Sequence, residues 1–192
     1  GSVAEKVVRS APCPVLTVHT APAAPLTSFR RILVPTDFGA ASDAALDCAR
    51  LYAARFGASL HLLHVLEDVH VEGALGSEVF VTESPEARSV RLKNARERLK
   101  HRIPPGDRVR LRATTEVVFG APAQMIGDYA ADNAFDLIVM GTHGRKGMAH
   151  LLVGSVAERV VRTAACPVMT TRCPRSGGEA TVPGGSVVRA TA

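Results

Sequence analysis

The chain has 192 residues, of which 46% are hydrophobic and 4% aromatic, and it carries a formal net charge of +5. A domain of about 150 residues buries about 70% of the surface that its unfolded chain exposes, so this length supports one self-sufficient core with additional segments. No apolar run approaches the roughly 18 residues of a transmembrane helix, and no signal-peptide pattern opens the sequence. We therefore expect a soluble, cytoplasmic α/β protein with an aliphatic core and no membrane partner.

Cysteine usage and charge clustering limit the function further. The four cysteines form no C-x-x-C pair and lack metal-ligand spacing, so we interpret them as reduced and structural; they are Cys13, Cys48, Cys166 and Cys173. Positive side chains are concentrated between residues 88 and 102, on one expected helix. Because no aromatic residues interleave them as stacking platforms, a solvated helix face is favoured over a nucleic-acid surface, which stays the weaker alternative.

The chain begins with a partial copy of a later segment. Residues 1–18 align without gaps on residues 154–171, with 13 of 18 positions identical. The repeat predicts that residues 1–18 are the last helix and strand of a truncated upstream copy in a tandem protein. It also predicts that strand 14–18 pairs with strand 167–171 inside one chain.

The rest of the chain alternates between strand and helix patterns. Strand, helix and strand in succession predict right-handed parallel crossovers. The predicted elements, in order, are a linker at 19–29, a strand at 31–35 with the turn Thr36-Asp37-Phe38-Gly39, a helix from Ser42 to Gly57, a strand at 59–66, a variable and partly mobile connection at 67–85, the basic helix to Arg102, a strand at 108–118, a helix from Pro122, and a last strand at 166–171. Residues 173–192, rich in Gly, Ser, Pro and Thr, are predicted to be a disordered tail.

The segment from Leu137 to Ser155 carries the main functional signal. It starts as an apolar strand, continues through a glycine-containing loop and ends at the start of an amphipathic helix. Gly141 and Gly144 lack the side chains that would keep an anion away from backbone N–H groups. Ser155 is expected to cap the helix, whose first N–H groups carry the positive end of its dipole. A phosphate group suits such a site.

The G-x2-G-x9-G-S spacing of this segment matches the nucleotide-binding signature of the universal stress protein family. Residues 30–172 as a whole resemble a domain of that family. The segments that carry the resemblance are Ile32 to Asp37, Leu63 to Val65, Asp136 to Gly144, and Gly154 to Glu158. The resemblance implies a doubly wound, Rossmann-like five-stranded parallel sheet of order 3-2-1-4-5, similar to the adenine nucleotide alpha hydrolases. The helix and strand of the preceding copy would be added to it.

The resemblance also implies an adenine-nucleotide site at the carboxyl ends of the strands, where the strand order reverses. Adenine would lie against the backbone near Val65, the ribose would face Asp37 and the Gly141 backbone, and the phosphates would lie at the loop and the helix start. The implied cofactor-binding residues are Pro35, Thr36, Asp37, Val65, Met140, Gly141, His143, Gly144, Arg145, Gly154, Ser155 and Val156. The expected ligand is ATP with Mg²⁺, and AMP or ADP are alternatives.

Several of these residues also have a purely structural interpretation. Asp37 suits a turn after a strand, and Ser155 suits a plain helix cap. His143 in the loop, and His61 and His64 in a strand, are not expected to act as general bases. No catalytic or metal-ligating side chain is assigned.

Three functions are compatible with the sequence. The first is an ATP-binding stress-response protein that acts through nucleotide-dependent or dimerisation-dependent interactions. The second is an enzyme, but no G-x-x-x-x-G-K-[ST] is present and no S-G-G-x-D-S type loop follows the first strand, so at most slow ATP hydrolysis is expected. The third is a structural interaction module that binds no nucleotide. The complete glycine motif argues against this third function. The resemblance implies a dimer, or a tandem pseudo-dimer, that pairs last strands.

Overall fold

The computed structural model describes residues 3–18, 29–68, 70–72, 78–80, 83–142 and 154–171. The helices in these ranges are α1 (Val3–Ser10), α2 (Ala40–Phe56), α3 (Pro85–Arg102), α4 (Pro105–Arg110), α5 (Pro122–Asp132) and α6 (Ser155–Thr163). The strands are β1 (Val15–Thr17), β2 (Arg31–Pro35), β3 (Ser59–Leu66), β4 (His70–Glu72), β5 (Glu78–Phe80), β6 (Thr114–Phe119), β7 (Leu137–Gly141) and β8 (Val168–Thr171). None of the helices in the described ranges is long and apolar enough to cross a membrane.

The main sheet has the order β1-β8-β7-β2-β3-β6. Its strands β6, β3, β2, β7 and β8 are parallel neighbours, which is the predicted order 3-2-1-4-5. The sheet has six strands rather than five because β1 joins it, antiparallel to β8. The predicted pairing of the two repeated segments is therefore confirmed, and it covers a sheet edge that would otherwise expose unpaired backbone groups.

The pairing of β1 with β8 has an internal two-fold symmetry. Leu16 pairs with Met169, and the repeat aligns these same two residues with each other. On either side, Val15 pairs with Thr170 and Thr17 pairs with Val168. The repeat aligns Val15 with Val168 and Thr17 with Thr170, so each of these pairs is the copy of the other. A contact with this property has the register of an isologous interface between two like subunits.

Apolar side chains cover both faces of the sheet. Along β7, Leu137 and Val139 belong to a cluster that includes α2 and α3, whereas Ile138 and Met140 belong to a cluster that includes α5 and α6. This alternation follows from the period-2 geometry of a strand, and burial of both faces is typical of parallel sheets. Phe29, the last residue of the predicted linker, is buried in the α2 cluster. Its ring meets the Phe56 ring edge-on, with the two ring centroids 5.6 Å apart.

Two predicted segments differ from the structure. Residues 108–118 are not one strand, because α4 occupies Pro105–Arg110 and β6 begins only at Thr114. The alternation of arginines with apolar residues resembles a strand, but Pro105 opens a helical turn and the buried Asp107 carboxylate fixes it by accepting hydrogen bonds from two arginines. The connection at 67–85 contains the antiparallel pair β4–β5, and its last residue, Pro85, belongs to α3.

The cysteines are free where the structure describes them. Burial raises the pKa of the Cys48 and Cys166 thiols to about 11, which agrees with their interpretation as reduced and structural. Cys13 is exposed, so a structural role is wrong for it. Cys173, the tail at 173–192 and the predicted linker at 19–28 lie outside the described residues.

Most of the positive side chains of α3 have partners within the domain. Their ion-pair partners come from five other positions: Arg88 pairs with Asp68, Arg91 with Glu83, Arg96 with Glu116, Lys100 with Glu97, and Arg102 with Asp43. Arg98 lies over the Phe38 ring at 4.0 Å from its centroid. The charge run therefore attaches α3 to its own domain, and this arrangement favours the interpretation without nucleic acid.

Candidate functional site

The strand order reverses between β2 and β7, the two central strands of the sheet. After β2 the chain continues into α2 on one face, whereas α6, which follows β7 in the described residues, packs on the other face. Connections that diverge in this way open a crevice at the carboxyl edge, which is where ligands bind in open α/β sheets. We call this the edge crevice and define it by Asp37, Val65, Gly141 and Ser155.

Nine of the twelve predicted site residues lie in the described ranges, and the sheet brings them to this edge. They are Pro35 at the end of β2, Thr36 and Asp37 after it, Val65 near the end of β3, Met140 and Gly141 at the end of β7, and Gly154, Ser155 and Val156 at the start of α6. His143, Gly144 and Arg145 lie outside the described residues.

The turn after β2 holds Asp37 beside the crevice. The Asp37 Oδ1 accepts a hydrogen bond of 2.9 Å from the Gly39 N–H, and the Thr36 Oγ1 accepts one of 3.0 Å from the Phe38 N–H. Phe38 adopts φ 64°, which is uncommon for a residue with a bulky side chain. Asp37 therefore has the turn-stabilising role that its sequence position allowed. A carboxylate can accept several hydrogen bonds, so this role is compatible with a ligand contact.

Gly141 is needed for packing against α2, whatever it contributes to a ligand. A Cβ at this position would lie 2.6 Å from the Ala41 carbonyl oxygen and 2.7 Å from its carbonyl carbon. The missing side chain thus faces the first turn of α2, which is a reason for glycine that the sequence analysis did not give. The side chain of Met140 points to the opposite face and is buried in the α5–α6 cluster.

The backbone of Val65 points into the edge crevice. Along β3, the Ser59 N–H and the Leu63 carbonyl bond to the residues that flank β2, whereas the Leu60 N–H and the Leu66 carbonyl bond toward β6. Backbone direction alternates along a strand, so the N–H and C=O of Val65 point to the side of β2. There β2 has already left the sheet, and no described residue bonds to either group.

The start of α6 presents backbone donors to the same crevice. Gly154, not Ser155, occupies the cap position, and it makes no side-chain cap bond, so the capping role predicted for Ser155 is wrong. The Gly154 N–H donates to the Thr142 carbonyl at 2.6 Å and is therefore engaged within the protein. Among the described residues, none accepts a hydrogen bond from the N–H of Ser155 or of Val156. These two N–H groups carry the positive end of the helix dipole.

A cavity of about 450 Å³ adjoins the crevice, between the ends of β3 and β6 and the starts of α5 and α6. Its size is within the range of small-molecule sites. Of the nine predicted residues that the structure describes, Ser155 and Val156 line it; the other lining residues are Glu67, Asp68, Gly120, Ala121, Pro122, Ala123 and Arg159. The sequence signal for these missed residues is Gly120-Ala121-Pro122, which marks a strand-to-helix connection at the same edge.

The strand histidines have structural partners. His61 lies between the Thr114 Oγ1, 2.6 Å from its Nδ1, and the Tyr129 hydroxyl, 2.9 Å from its Nε2, and burial lowers its pKa. The His64 Nδ1 lies 2.7 Å from the Thr36 carbonyl oxygen. In the described part of the chain, no three His, Cys, Asp or Glu side chains are grouped as metal ligands.

Comparison with known proteins agrees with this architecture. The model of the universal stress protein family matches residues 28–172. The universal stress protein MJ0531 of Methanocaldococcus jannaschii is 32% identical over 152 residues, which cover 77% of this chain and 84% of that protein. Rv2005c of Mycobacterium tuberculosis, also a universal stress protein, is 31% identical over 173 residues, which cover 90% of this chain but only 56% of that protein.

Solved structures show the same fold. The universal stress protein UspA from Lactobacillus plantarum superposes with a TM-score of 0.55 at 29% identity, covering 76% of this chain and 99% of that one. A universal stress protein in complex with cAMP superposes with a TM-score of 0.50 at 23% identity, covering 77% of this chain and 99% of that one, and at this identity it supports the fold alone. On the match to the family model and the identity to its members, the chain belongs to the universal stress protein family.

Proposed function

We propose that the edge crevice binds an adenine nucleotide, with ATP and Mg²⁺ as the expected ligands and AMP or ADP as alternatives. Nucleotide occupancy, or pairing through the last strand, would then alter interactions with partners in the stress response that the family membership supports. The observation that carries the proposal is the backbone of Val65, whose N–H and C=O bond to no described residue and which shares the crevice with the first N–H groups of α6, likewise without an acceptor among the described residues.

The two ends of the crevice match the two ends of a nucleotide. Adenine presents an exocyclic amine donor beside a ring-nitrogen acceptor, and the C=O and N–H of one extended residue, Val65, complement that pair. The side chains of Val65 and Val156 pack against the same apolar cluster, so the base and the helix start would be close neighbours. Asp37 would accept from ribose hydroxyls, a position where its charge avoids the phosphates.

The phosphate end rests on backbone donors rather than on a lysine. Ser155 and Val156 supply N–H groups at a helix N-terminus, and Arg159 lines the adjoining cavity one turn further along α6. Glu67 and Asp68 line the same cavity after the end of β3, and their charge would repel a phosphate and so favour the orientation with phosphates at α6. Mg²⁺ would be held mainly by the phosphates and water, as is usual for this ion.

A relative that was solved with cAMP supports the proposal by analogy, because that protein has the same fold and holds an adenine nucleotide. The alternatives are slow ATP hydrolysis and a structural module without nucleotide. Measurement of phosphate release with the protein in excess over ATP separates binding from turnover.

The pairing of β1 with β8 supports a tandem arrangement. This chain spans 56% of the length of the mycobacterial relative, and residues 1–18 repeat the helix and strand that end the domain. We propose that β1 takes the place that the last strand of a second domain would have, as a pseudo-dimer within one chain.

Calorimetric titration of the chain with ATP and Mg²⁺ tests the proposal. We expect saturable binding near one site per chain, weaker binding by Asp37→Ala, and loss of binding by Gly144→Asp, which places a carboxylate in the predicted phosphate loop. Absence of heat, together with absence of ATP from denatured protein, would leave the structural module as the better description.

A further inference from the structure

The hydrogen-bond ladder between β2 and β3 ends one bond early. Its last bond joins the Thr36 N–H to the Leu63 carbonyl at 2.8 Å. In a parallel ladder the next bond would join the Val65 N–H to the Thr36 carbonyl. In this protein the Thr36 carbonyl instead lies 2.7 Å from the Nδ1 of His64, and a carbonyl oxygen can only accept, so Nδ1 carries the proton.

His64 is held in this position by the turn after β2. The Phe38 ring packs on the His64 ring with their centroids 4.3 Å apart, and Phe38 is itself buried. Arg98 lies over the Phe38 ring, and the Arg102 guanidinium donates to the Phe38 carbonyl at 3.2 Å. Groups from α3, the turn and β3 thus fix the ring that occupies the Thr36 carbonyl.

We propose that His64 is a positioning residue for the nucleobase. By donating to the Thr36 carbonyl, it takes the acceptor that would otherwise bind the Val65 N–H, and so it keeps that N–H available to a ligand in the edge crevice. His64 itself need not touch the ligand. The inference deepens the proposed function and rests on it, because the group that His64 keeps available is the one assigned to adenine.

Three variants of the full chain test this role. His64→Leu removes the donor. His64→Asn keeps a donor close to the position of Nδ1 and should behave as the wild type. His61→Leu is the matched control, because His61 lies on the same strand but its partners are Thr114 and Tyr129.

The first measurement is amide hydrogen exchange in the chain without nucleotide. We expect the Val65 amide to exchange at least about tenfold faster than the Thr36 amide, which is bonded to the Leu63 carbonyl. In His64→Leu the Val65 amide should become protected, because the vacated Thr36 carbonyl accepts from it. A general loss of stability would instead speed exchange across the sheet.

The second measurement is calorimetric affinity for ATP and GTP. His64→Leu should weaken ATP binding about tenfold, and it should reduce the preference for ATP over GTP because the base contact is the one lost. His64→Asn and His61→Leu should stay within about twofold of the wild type, as expected for variants that keep the base contact.

Two results would overturn the inference. One is a Val65 amide that is already protected in the wild type without nucleotide, and this measurement decides the matter even if His64→Leu does not fold. The other is wild-type ATP binding that His64→Leu leaves unchanged, which refutes the role of His64 alone. If the wild type binds no ATP, the proposed function fails and the inference fails with it.

Discussion

Replacement of Ser155 by proline would remove one backbone donor from the phosphate end of the edge crevice without breaking α6. Ser155 is the first residue of α6 and is exposed. Its N–H has no acceptor within the helix, so proline removes no helical hydrogen bond there. Gly154 has φ −59° and ψ 142°, which is the extended conformation that a residue before proline prefers.

The loss can be estimated from a single contact. A hydrogen bond from an N–H to a charged phosphate oxygen contributes about 1.5 to 3 kcal/mol, so Ser155→Pro should weaken ATP binding by about 10- to 150-fold. Ser155→Ala is the matched control, because it removes the hydroxyl and keeps the N–H. The assay is calorimetric titration with ATP and Mg²⁺, beside thermal unfolding of each variant.

The outcome separates a backbone contact from a side-chain contact. We expect Ser155→Ala to bind nearly as well as the wild type and the melting temperatures of both variants to stay close to that of the wild type. ATP binding by Ser155→Pro that equals the wild type would refute the assignment of this N–H to the phosphates. If both variants weaken ATP binding equally, the Ser155 hydroxyl rather than its N–H contacts the phosphates.

Three further predictions concern packing, pH and assembly. Gly141→Ala should lower the free energy of unfolding by about 1–3 kcal/mol, because its Cβ would overlap the first turn of α2. The control in thermal unfolding is Gly106→Ala, which should be nearly neutral because the added Cβ meets no atom within 4 Å. Because burial lowers the pKa of His61, the unfolded state takes up this proton first as pH falls below about 6.5, so the free energy of unfolding should decrease from pH 7 to pH 5, and by less in His61→Asn. Urea titrations at each pH measure this free energy, and an equal decrease in both proteins would contradict the prediction. A chain without residues 1–18 should form a homodimer through β8, with two copies of Met169 at its axis, and a monomer in analytical ultracentrifugation would refute the symmetric register.

The sequence predicts the topology because its strongest signals are periodic and repeated. Apolar runs at 31–35, 59–66 and 137–141, separated by helical patterns, require parallel crossovers, and their strand order follows from the family resemblance. The repeat in residues 1–18 predicts the added strand, since a segment that closes one sheet edge can pair with its own copy. These features depend on apolar periodicity and on an internal repeat, both of which can be read from the sequence.

The errors arise where a tertiary contact outweighs local pattern. Val109 and its arginine neighbours alternate like a strand, yet buried Asp107 accepts hydrogen bonds from Arg50 and Arg110 and fixes a helical turn. The sequence does not reveal that Arg50, far away in α2, supplies one of these donors. The packing role of Gly141 was missed for the same reason, because its neighbour Ala41 approaches only after α2 has docked on β7.

The candidate site was predicted as a motif, whereas the groups that our proposal assigns to the ligand are mostly backbone atoms. The N–H groups of Val65 and Ser155 could belong to any residue type, so the sequence does not mark them as donors. Their availability depends on what neighbouring groups do: the Thr36 carbonyl accepts from His64, and Gly154 takes the cap position of α6. Only the arrangement of three segments in space shows which backbone groups stay unpaired.

The symmetry of β1 and β8 limits how pairing and nucleotide binding can be coupled. The two strands run antiparallel, so a complete upstream sheet would direct its carboxyl edge away from the edge crevice of this domain. The paired copy would then contribute no residue to the crevice, and coupling would have to pass along β8 and β7. That route exists, because Thr171 pairs with Gly141 and its carbonyl accepts from the Thr142 N–H at 3.0 Å, beside the carbonyl that engages Gly154. Removal of residues 1–18 should therefore change ATP affinity only by shifting the end of β7. The change in affinity should be smaller than that caused by the loss of a direct contact such as the Ser155 N–H.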